Sequence, residues 1–317
     1  MAERFLLLTP AHDEADQAES LVAAVRASQL TPSCWLVVDD NSSDGTREAF
    51  LEAGRDLPFL RVHRIESRGE YMAFRYSEVL RAGLAQRELA PDGYLGILDA
   101  DIRFGPSYWH ALRQHFDGDP RLGVASGALC AAGPDGALRL ESGQHADLPR
   151  GGLRLVRAAC LADAGGVLRS RACDTVMSTR ARLAGWRTVL FDDILALSTR
   201  PTASRAEYQN VAKSFGQRYY DIGRPAWYAL YKACSSATRG DRARALGLLE
   251  GYFGEAFRGR ERAADAALRR YYRWEPQRRW LLRWQAALAG TRAPNAPIPP
   301  RRLEPWELEG FSPPRAG

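Results

Sequence analysis

Short apolar runs, each closing on a polar cluster, alternate along the first hundred residues with stretches whose apolar positions recur at helical spacing. Phe5 to Leu8 is the first such run and stops at Thr9-Pro10; unbroken apolarity over so few residues fits a strand buried on both faces. Residues 14–29 set Ala15, Ala18, Leu21, Val22 and Val25 along one helix face, and Pro32 ends any continuation of it. Trp35 to Val38 repeats the strand pattern and runs straight into Asp39-Asp40-Asn41-Ser42-Ser43-Asp44-Gly45-Thr46, a turn with Asp44 or Thr46 as the cap of the next helix. Phe59 to Ile65 reads as a third strand. Residues 70–88 read as a helix with Ala73, Phe74, Val79, Leu80 and Leu84 inward, and Tyr94 to Leu98 as a fourth strand ending at Asp99-Ala100-Asp101. This alternation predicts an α/β fold, a mostly parallel, Rossmann-like sheet with helices on both faces. Ligands of such sheets lie beyond the carboxyl ends of the strands, so the polar clusters 9–14, 39–46 and 99–101 are expected to converge on one crevice.

The pattern loosens further on. Residues 121–130 read as a strand, Gly133 to Gly136 as a turn, and 141–152, rich in Gly, His, Asp and Pro, as a mobile loop near the site. Leu153 to Ala164 alternates apolar and basic residues up to Gly165-Gly166. Asp174 to Ala184 forms a helix closed by Gly185, and Thr188 to Phe191 returns as a strand. From about residue 205 the pattern is helical and aromatic, and the prolines beyond Gly290 mark a tail without regular structure.

Composition narrows the class. The 317 residues are 45% hydrophobic and 26% charged, enough chain to bury roughly 75% of its unfolded surface without a disulfide or structural metal. The five cysteines (34, 130, 160, 173 and 234) are odd in number and scattered, with no CxxC pair, so neither a zinc site nor a disulfide framework is indicated. The first apolar run is too short for a signal peptide and no run approaches a membrane span, so a cytoplasmic protein is expected. The net charge is +6, and residues 257–284 alone carry nine arginines against Glu261, Asp265 and Glu275, interleaved with Tyr271, Tyr272, Trp274, Trp280 and Trp284. A basic aromatic helix suits the inner face of an anionic membrane. The same residues also suit a helix packed on the rest of the chain with its arginines solvated or paired. Charge so confined, with no recognition module, speaks against nucleic acid.

Two acidic pairs carry the candidate chemistry. Asp99 and Asp101, at i and i+2 on a strand end, can reach one divalent cation, and hard oxygen donors suit Mg²⁺ or Mn²⁺ bridging a diphosphate; a pair that merely caps a turn has the same sequence. Asp39 and Asp40 can accept from base N–H groups and sugar hydroxyls, or can simply serve the turn.

Order and spacing join these pieces. Pro10-Ala11-His12-Asp13-Glu14, then Val38-Asp39-Asp40-Asn41-Ser42-Ser43-Asp44-Gly45-Thr46, then Asp99-Ala100-Asp101, with Asp39 and Asp99 60 residues apart, resemble the family 2 glycosyltransferases of the GT-A fold. That family pairs Pro-Ala-x-Asn-Glu with Val-Asp-Asp-x-Ser-x-Asp-Gly-Thr and a following Asp-x-Asp. Arg68-Gly69-x-Tyr71-x-Ala73-x-Arg75, Gly165-Gly166, Asp174 and Gly185-Trp186-Arg187 extend the resemblance over residues 4–195. Asp13 stands where the family usually has Asn, Tyr71 where it often has Gly, and Cys173 where Glu is common. The Gln-x-x-Arg-Trp motif of processive synthases does not follow Asp174; Gln277-Arg278-Arg279-Trp280 lies far downstream, which argues against a processive polymerase.

The resemblance implies an inverting, metal-dependent hexosyltransferase. It would move a sugar from a nucleotide-sugar donor to a glycan or lipid-linked acceptor hydroxyl, in polysaccharide, glycolipid or cell-envelope glycan synthesis. It casts Asp101, with Asp99, as the Mn²⁺ or Mg²⁺ ligand and Asp174 as the catalytic base. Asp39 or Asp40 would hold the base of the nucleotide, Pro10, Ala11 and Glu14 would line its pocket, and Arg68 and Arg75 would serve the donor, Arg75 at the diphosphate. It divides the chain into a catalytic part at 1–200 (1–105 for the nucleotide sugar, 106–200 for the acceptor), a basic, aromatic helical extension at 201–290 and a Pro-rich tail at 291–317. His12 and His145 are loop histidines beside this site, and Arg200 is a late-loop arginine within reach of a diphosphate or of solvent. A non-catalytic, nucleotide-sugar-binding relative is the alternative. A nucleotidyltransferase is disfavoured because residues 9–14 lack the Gly-rich basic loop it needs.

Overall fold

A computed structural model describes residues 2–66, 74–133, 135, 137–199, 208–303 and 307. Its strands are β1 (Glu3–Ala11), β2 (Cys34–Asp40), β3 (Leu60–Ile65), β4 (Leu89–Leu98), β5 (Ile102–Phe104), β6 (Leu122–Ala132), β7 (Leu138–Leu140), β8 (Leu153–Arg157) and β9 (Arg187–Ser198). The helices are α1 (Ala15–Arg26), α2 (Thr46–Ala53), α3 (Arg75–Ala85), α4 (Tyr108–Gly118), α5 (Ala158–Asp163), α6 (Cys173–Leu183), α7 (Tyr208–Asp221), α8 (Ala226–Ala237), α9 (Arg242–Phe257) and α10 (Ala266–Leu288).

One sheet runs in the order β3-β2-β1-β4-β8-β6-β9-β5, with β7 paired to β6. The first four strands are all parallel; β8 enters antiparallel between β4 and β6, and β6 and β9 are again parallel. The pleat of β1 sorts its side chains between two cores. Phe5 and Leu7 join Leu21, Val22, Phe50, Trp109 and Leu112 on the face covered by α1, α2 and α4. Leu6 and Leu8 join Val79, Leu80, Cys160 and Met177 on the face covered by α3, α5 and α6. The α/β sheet with helices on both faces is thus the architecture that the sequence pattern predicts.

Three details differ from the pattern. First, β1 continues through Thr9-Pro10 to Ala11. Its pairing with β4 ends at Leu8, whereas β2 still flanks Pro10 opposite Val38, so the missing amide of Pro10 falls where one neighbour has already ended. Second, Leu153 to Ala164 is a strand followed by a short helix, β8 and α5, because Ala158 onward buries Ala, Cys and Leu rather than alternating. Third, residues 141–152 are tied down rather than loose. Gln144 is buried and exchanges hydrogen bonds with both backbone groups of Leu129. Residues 296–303 run back along this stretch, with Ala146 N donating to Ala296 O, Ile298 N to Gln144 O and Leu140 N to Arg301 O. Ile298 and Leu303 close a small core with Leu140 and Leu195. Among the described residues beyond 290 there is no named helix or strand, yet Asn295, Ile298 and Leu303 are buried and make 295–303 a packed strap.

The helical part docks on α6. Ala172 and Val176 pack with Ile222, Leu268 and Tyr272, and buried Asp221 accepts from Ser170 Oγ (2.6 Å) and Arg171 N (2.9 Å). Arg171 and Glu255 form an ion pair at 2.9 Å with both side chains buried. No cysteine is in a disulfide; four are buried and Cys234 is exposed. No helix among the described residues is long and apolar enough to cross a membrane.

Candidate active site

The carboxyl ends of β1, β2 and β4 carry the three polar clusters, and hydrogen bonds lock the first two together. Asp13 N donates to Ser42 Oγ (3.0 Å), Ser43 N to Asp13 Oδ1 (2.8 Å), Glu14 N to Thr46 Oγ1 (2.8 Å) and Ala15 N to Asp44 Oδ2 (2.9 Å). The Ser-x-Asp-Gly-Thr spacing thus supplies acceptors for the amides that open α1. Asp44 Oδ1 also accepts from Thr46 N (3.0 Å) at the start of α2, so Asp44 caps from one residue outside, while Gly45, with φ of 86°, is the N-cap itself. Asp13 and Asn41 both hold φ at 53°, a left-handed turn that Asn and Asp tolerate better than other side chains with a Cβ. Asp13 in place of the usual Asn therefore costs the turn little.

Between these loops and the end of β4 opens a cleft of about 380 Å³ lined by Pro10, Ala11, His12, Glu14, Asp40, Arg75, Tyr76, Asp99 and Asp101, among others. Its size is that of a small-molecule site. Asp39 lies behind it, fully buried, with Oδ1 accepting from Ser42 N (3.1 Å) and Oδ2 without a hydrogen-bond partner. Asp40, also buried, pairs through Oδ2 with Arg75; its Oδ1, like Asp39 Oδ2, has no partner among the described residues. Buried acceptors left bare cost free energy, and donors of a bound molecule would satisfy them. Arg75 is held by Asp40 twice, through Oδ2 and through its carbonyl (2.7 Å), and meets His12 Nδ1 at 3.0 Å. Arg68 lies outside the described residues, as does Arg200. A larger cavity of about 760 Å³ between α6, β9 and α10 shares no lining residue with this cleft.

The third cluster meets α6. Asp99 Oδ1 accepts from Tyr76 Oη (2.9 Å), and Asp99 N donates to Gly152 O (2.8 Å). Gly151 and Gly152 stand between two carboxylates: a Cβ on Gly152 would fall 1.7 Å from Asp99 Oδ2, and one on Gly151 2.8 Å from Asp174 Oδ2. Loss of water, then the nearby Asp101 carboxylate, pushes the Asp99 carboxyl up to about 7; Tyr76 opposes this, Asp174 adds to it and Arg154 relieves part of it. Asp174 sits in the first turn of α6, whose N-cap is Ala172, so its carboxylate faces the positive end of the helix without being the cap. Behind it lies Arg154, almost wholly buried, which donates to the carbonyls of Pro149, Arg150 and Asp174 and stands 3.8 Å from Asp174 Oδ2.

Among the described residues no three His, Cys, Asp or Glu side chains form a metal cage. Asp99 and Asp101 together offer the one or two carboxylates that Mg²⁺ takes alongside waters and phosphate oxygens. The crowding of Asp99 by Asp101 is what a cation between them would relieve.

The structure brings Pro10, Ala11, Glu14, Asp40, Arg75, Asp99 and Asp101 to one cleft, with Asp39 behind it and Asp174 across the glycine pair. His145 does not join them; it bridges to Pro297. Three contributors are not evident from the sequence pattern as read above. Tyr76 carries no signal there. The Gly151-Gly152 pair could signal a place of close backbone approach, and Arg154 is a charge set between Leu153 and Leu155 in β8, the strand that Arg157 ends.

The sheet order, its flanking helices and the polar strand ends form a GT-A-like α/β fold. Among solved structures the chain is similar to the mannosyltransferase PcManGT from Pyrobaculum calidifontis in complex with GDP-Man and Mn²⁺, at 17% identity over 93% of this chain and 82% of that one, TM-score 0.54. It is also similar to S. aureus TarS 1-349, at 16% identity over 81% of this chain and 92% of that one, TM-score 0.50. No protein-family model matches the chain, and no curated protein matches it by sequence.

Proposed function

We propose that the protein is an inverting, metal-dependent, non-processive glycosyltransferase that moves a hexosyl group from a nucleotide sugar to an acceptor hydroxyl of a glycan or lipid-linked glycan. The observation that carries this reading is the pairing of one cleft with two halves of chemistry. Bare buried acceptors on Asp39 and Asp40 stand at one end, and the Asp99, Asp101 and Asp174 carboxylates gather at the other. The mannosyltransferase neighbour, with its GDP-Man and Mn²⁺, supports it.

In this reading the N–H groups of the base and the ribose hydroxyls donate to Asp39 and Asp40, and Pro10, Ala11 and Glu14 wall the nucleotide. Arg75, steadied by Asp40, adds positive charge beside the diphosphate. Asp101 and Asp99 would hold Mn²⁺ or Mg²⁺, which would supply charge that offsets the leaving diphosphate. Asp174 accepts the acceptor's hydroxyl proton as that oxygen bonds to the anomeric carbon from the face opposite the breaking bond. The bond to the phosphate oxygen breaks with its electron pair on the diphosphate, so one in-line displacement inverts the centre. Arg154, which donates to the Asp174 carbonyl and stands 3.8 Å from Asp174 Oδ2, positions that carboxylate.

A thermal-shift panel of UDP, GDP, dTDP and CDP, each with and without Mn²⁺, tests the donor half. One nucleotide at a hundred times its Kd should add about 2.7 kcal/mol of stability, and only with metal. The absence of any shift would overturn the donor reading, and unchanged sugar transfer in both Asp101→Ala and Asp174→Asn would overturn the catalytic one.

A further inference from the structure

Outside the cleft, the helical part carries an exposed apolar face that the fold does not use. Trp227 and Tyr231, one turn apart on α8, meet Trp280 and Leu281 of α10 around a groove of about 580 Å³. Trp280 stacks on Trp284 with ring planes 8° apart. Trp280 is 66% exposed, Tyr231 60% and Leu288, two turns beyond Leu281, 70%, values far from those of a packed core. The opposite stripe of α10 explains its fold: Leu268 and Tyr272 are buried against α6, and buried Glu275 pairs with Arg224 at 2.6 Å. Packing on the catalytic part therefore consumes one face of this helix and leaves the aromatic one over.

Charge decides what that face can meet. Within α10 six arginines stand against Glu275 alone, and α8 adds Lys232 with no acid. Since Glu275 is buried and paired, neither helix offers an exposed carboxylate. Arg270 and Arg273 continue the aromatic face toward the start of α10, and both are exposed. A second copy docked here would bring arginine against arginine, a costly juxtaposition. An anionic bilayer surface meets both demands: headgroup phosphates take the guanidinium groups, and Trp and Tyr rings are favoured at the depth where headgroups give way to acyl chains. No helix among the described residues spans a membrane, so the contact is with one leaflet.

We propose that the exposed α8–α10 face is a docking surface for anionic lipid, seated by Trp227, Tyr231, Trp280 and Trp284 and framed by Arg270 and Arg273. The surface shares no residue with the donor cleft, so it stands or falls apart from the glycosyltransferase reading, and it would bring the enzyme to acceptors carried on lipid.

The test is flotation of the purified full chain with vesicles of phosphatidylcholine alone and of an equal mixture with phosphatidylglycerol. The paired variant Trp280→Ser/Trp284→Ser is run beside it, with circular dichroism and the nucleotide-induced thermal shift as checks on its fold. Both rings are exposed, so the variant is expected to fold as the parent does. Expected are binding to the mixed vesicles, little to phosphatidylcholine, weakening in high salt, and at least about a tenfold loss of affinity in the variant. No binding to the mixed vesicles overturns the proposal. So does binding that the variant retains in full, which marks charge adsorption alone. A mass that doubles with concentration in light scattering and returns to monomer in the variant, without vesicle binding, assigns the face to self-association instead.

Discussion

Alanine at position 152 probes the geometry that unites the two carboxylate groups. Its Cβ would lie 1.7 Å from Asp99 Oδ2 and 2.2 Å from the Asp99 carboxyl carbon, where ordinary contacts need about 3.5 Å. The carboxylate must retreat by more than an ångström, or the turn carrying Gly151 and Gly152 must lift away. Neither motion is free. Tyr76 Oη holds one Asp99 oxygen, Asp99 N holds Gly152 O, and Arg154 pins the carbonyls of Pro149 and Arg150 from below. Overpacking of this kind costs about 1–3 kcal/mol, and an ångström of misplacement at a reacting centre costs about a hundredfold in rate. Gly152→Ala is therefore expected to melt slightly early, to lose about a hundredfold in kcat, and to show a smaller metal-dependent nucleotide shift. Gly118→Ala is the control: it ends α4, and nothing lies within 4 Å of its added Cβ. The assay is turnover of the donor whose nucleotide the thermal-shift panel identifies, with and without Mn²⁺. Wild-type turnover and metal dependence in Gly152→Ala would refute the reasoning, because Asp99 would then have no fixed position that matters.

Two further outcomes concern how the parts are held. Arg171→Ala leaves buried Glu255 to Gln217 (3.2 Å) and the exposed Arg258 (3.9 Å) and is expected to destabilise the fold by up to about 3–5 kcal/mol, whereas Arg171→Met with Glu255→Leu should cost far less; urea melts of the three proteins check this, and equal losses would count against it. Partial burial works against the Asp44 carboxyl, yet hydrogen bonds from Thr46 and Ala15 hold it below the usual carboxylate range. A group depressed in the fold stabilises above its unfolded pKa and ceases to as pH falls through its folded one. Asp44→Asn should therefore melt earlier than wild type at neutral pH, with the gap closing below about pH 4; a gap that stays constant into acid would contradict the assignment.

Most of the parallel half of the sheet is legible in the chain, because each of its strands is an apolar run too short to be a helix and each stops on residues that cannot be buried alone. Leu6 and Leu8 against Phe5 and Leu7 needed no tertiary knowledge to place. The site was legible for the same reason: Asp40, Asp99 and Asp101 each lie at or just past a strand end, and topology then brings strand ends together. What the chain hid lies where long-range contact overrides local pattern. Pro10 reads as a stop, yet sits in β1 beyond the end of its pairing with β4. The stretch 141–152 reads as loose by composition, yet Gln144 and Glu141 bond to Leu129, Arg150 N to Ser126, and the return of residues 296–303 ties it further. Arg154 looks like one member of an alternating series until the carbonyls it serves, of Pro149, Arg150 and Asp174, are seen together.

The return of the strap has a consequence for the order in which the molecule is completed. Strands β1 to β4 can pair as soon as residue 98 has left the ribosome, since all their partners are already made. The turn bearing Gly151 and Gly152 is synthesised early, but the backbone groups that line its approach, at Gln144 and Ala146, wait for Ile298 and Ala296. A nascent chain can therefore possess the cleft at the ends of β1, β2 and β4 well before the loop beside Asp174 is braced. Bracing of that loop is thus a later step of folding than assembly of the strand-end cleft.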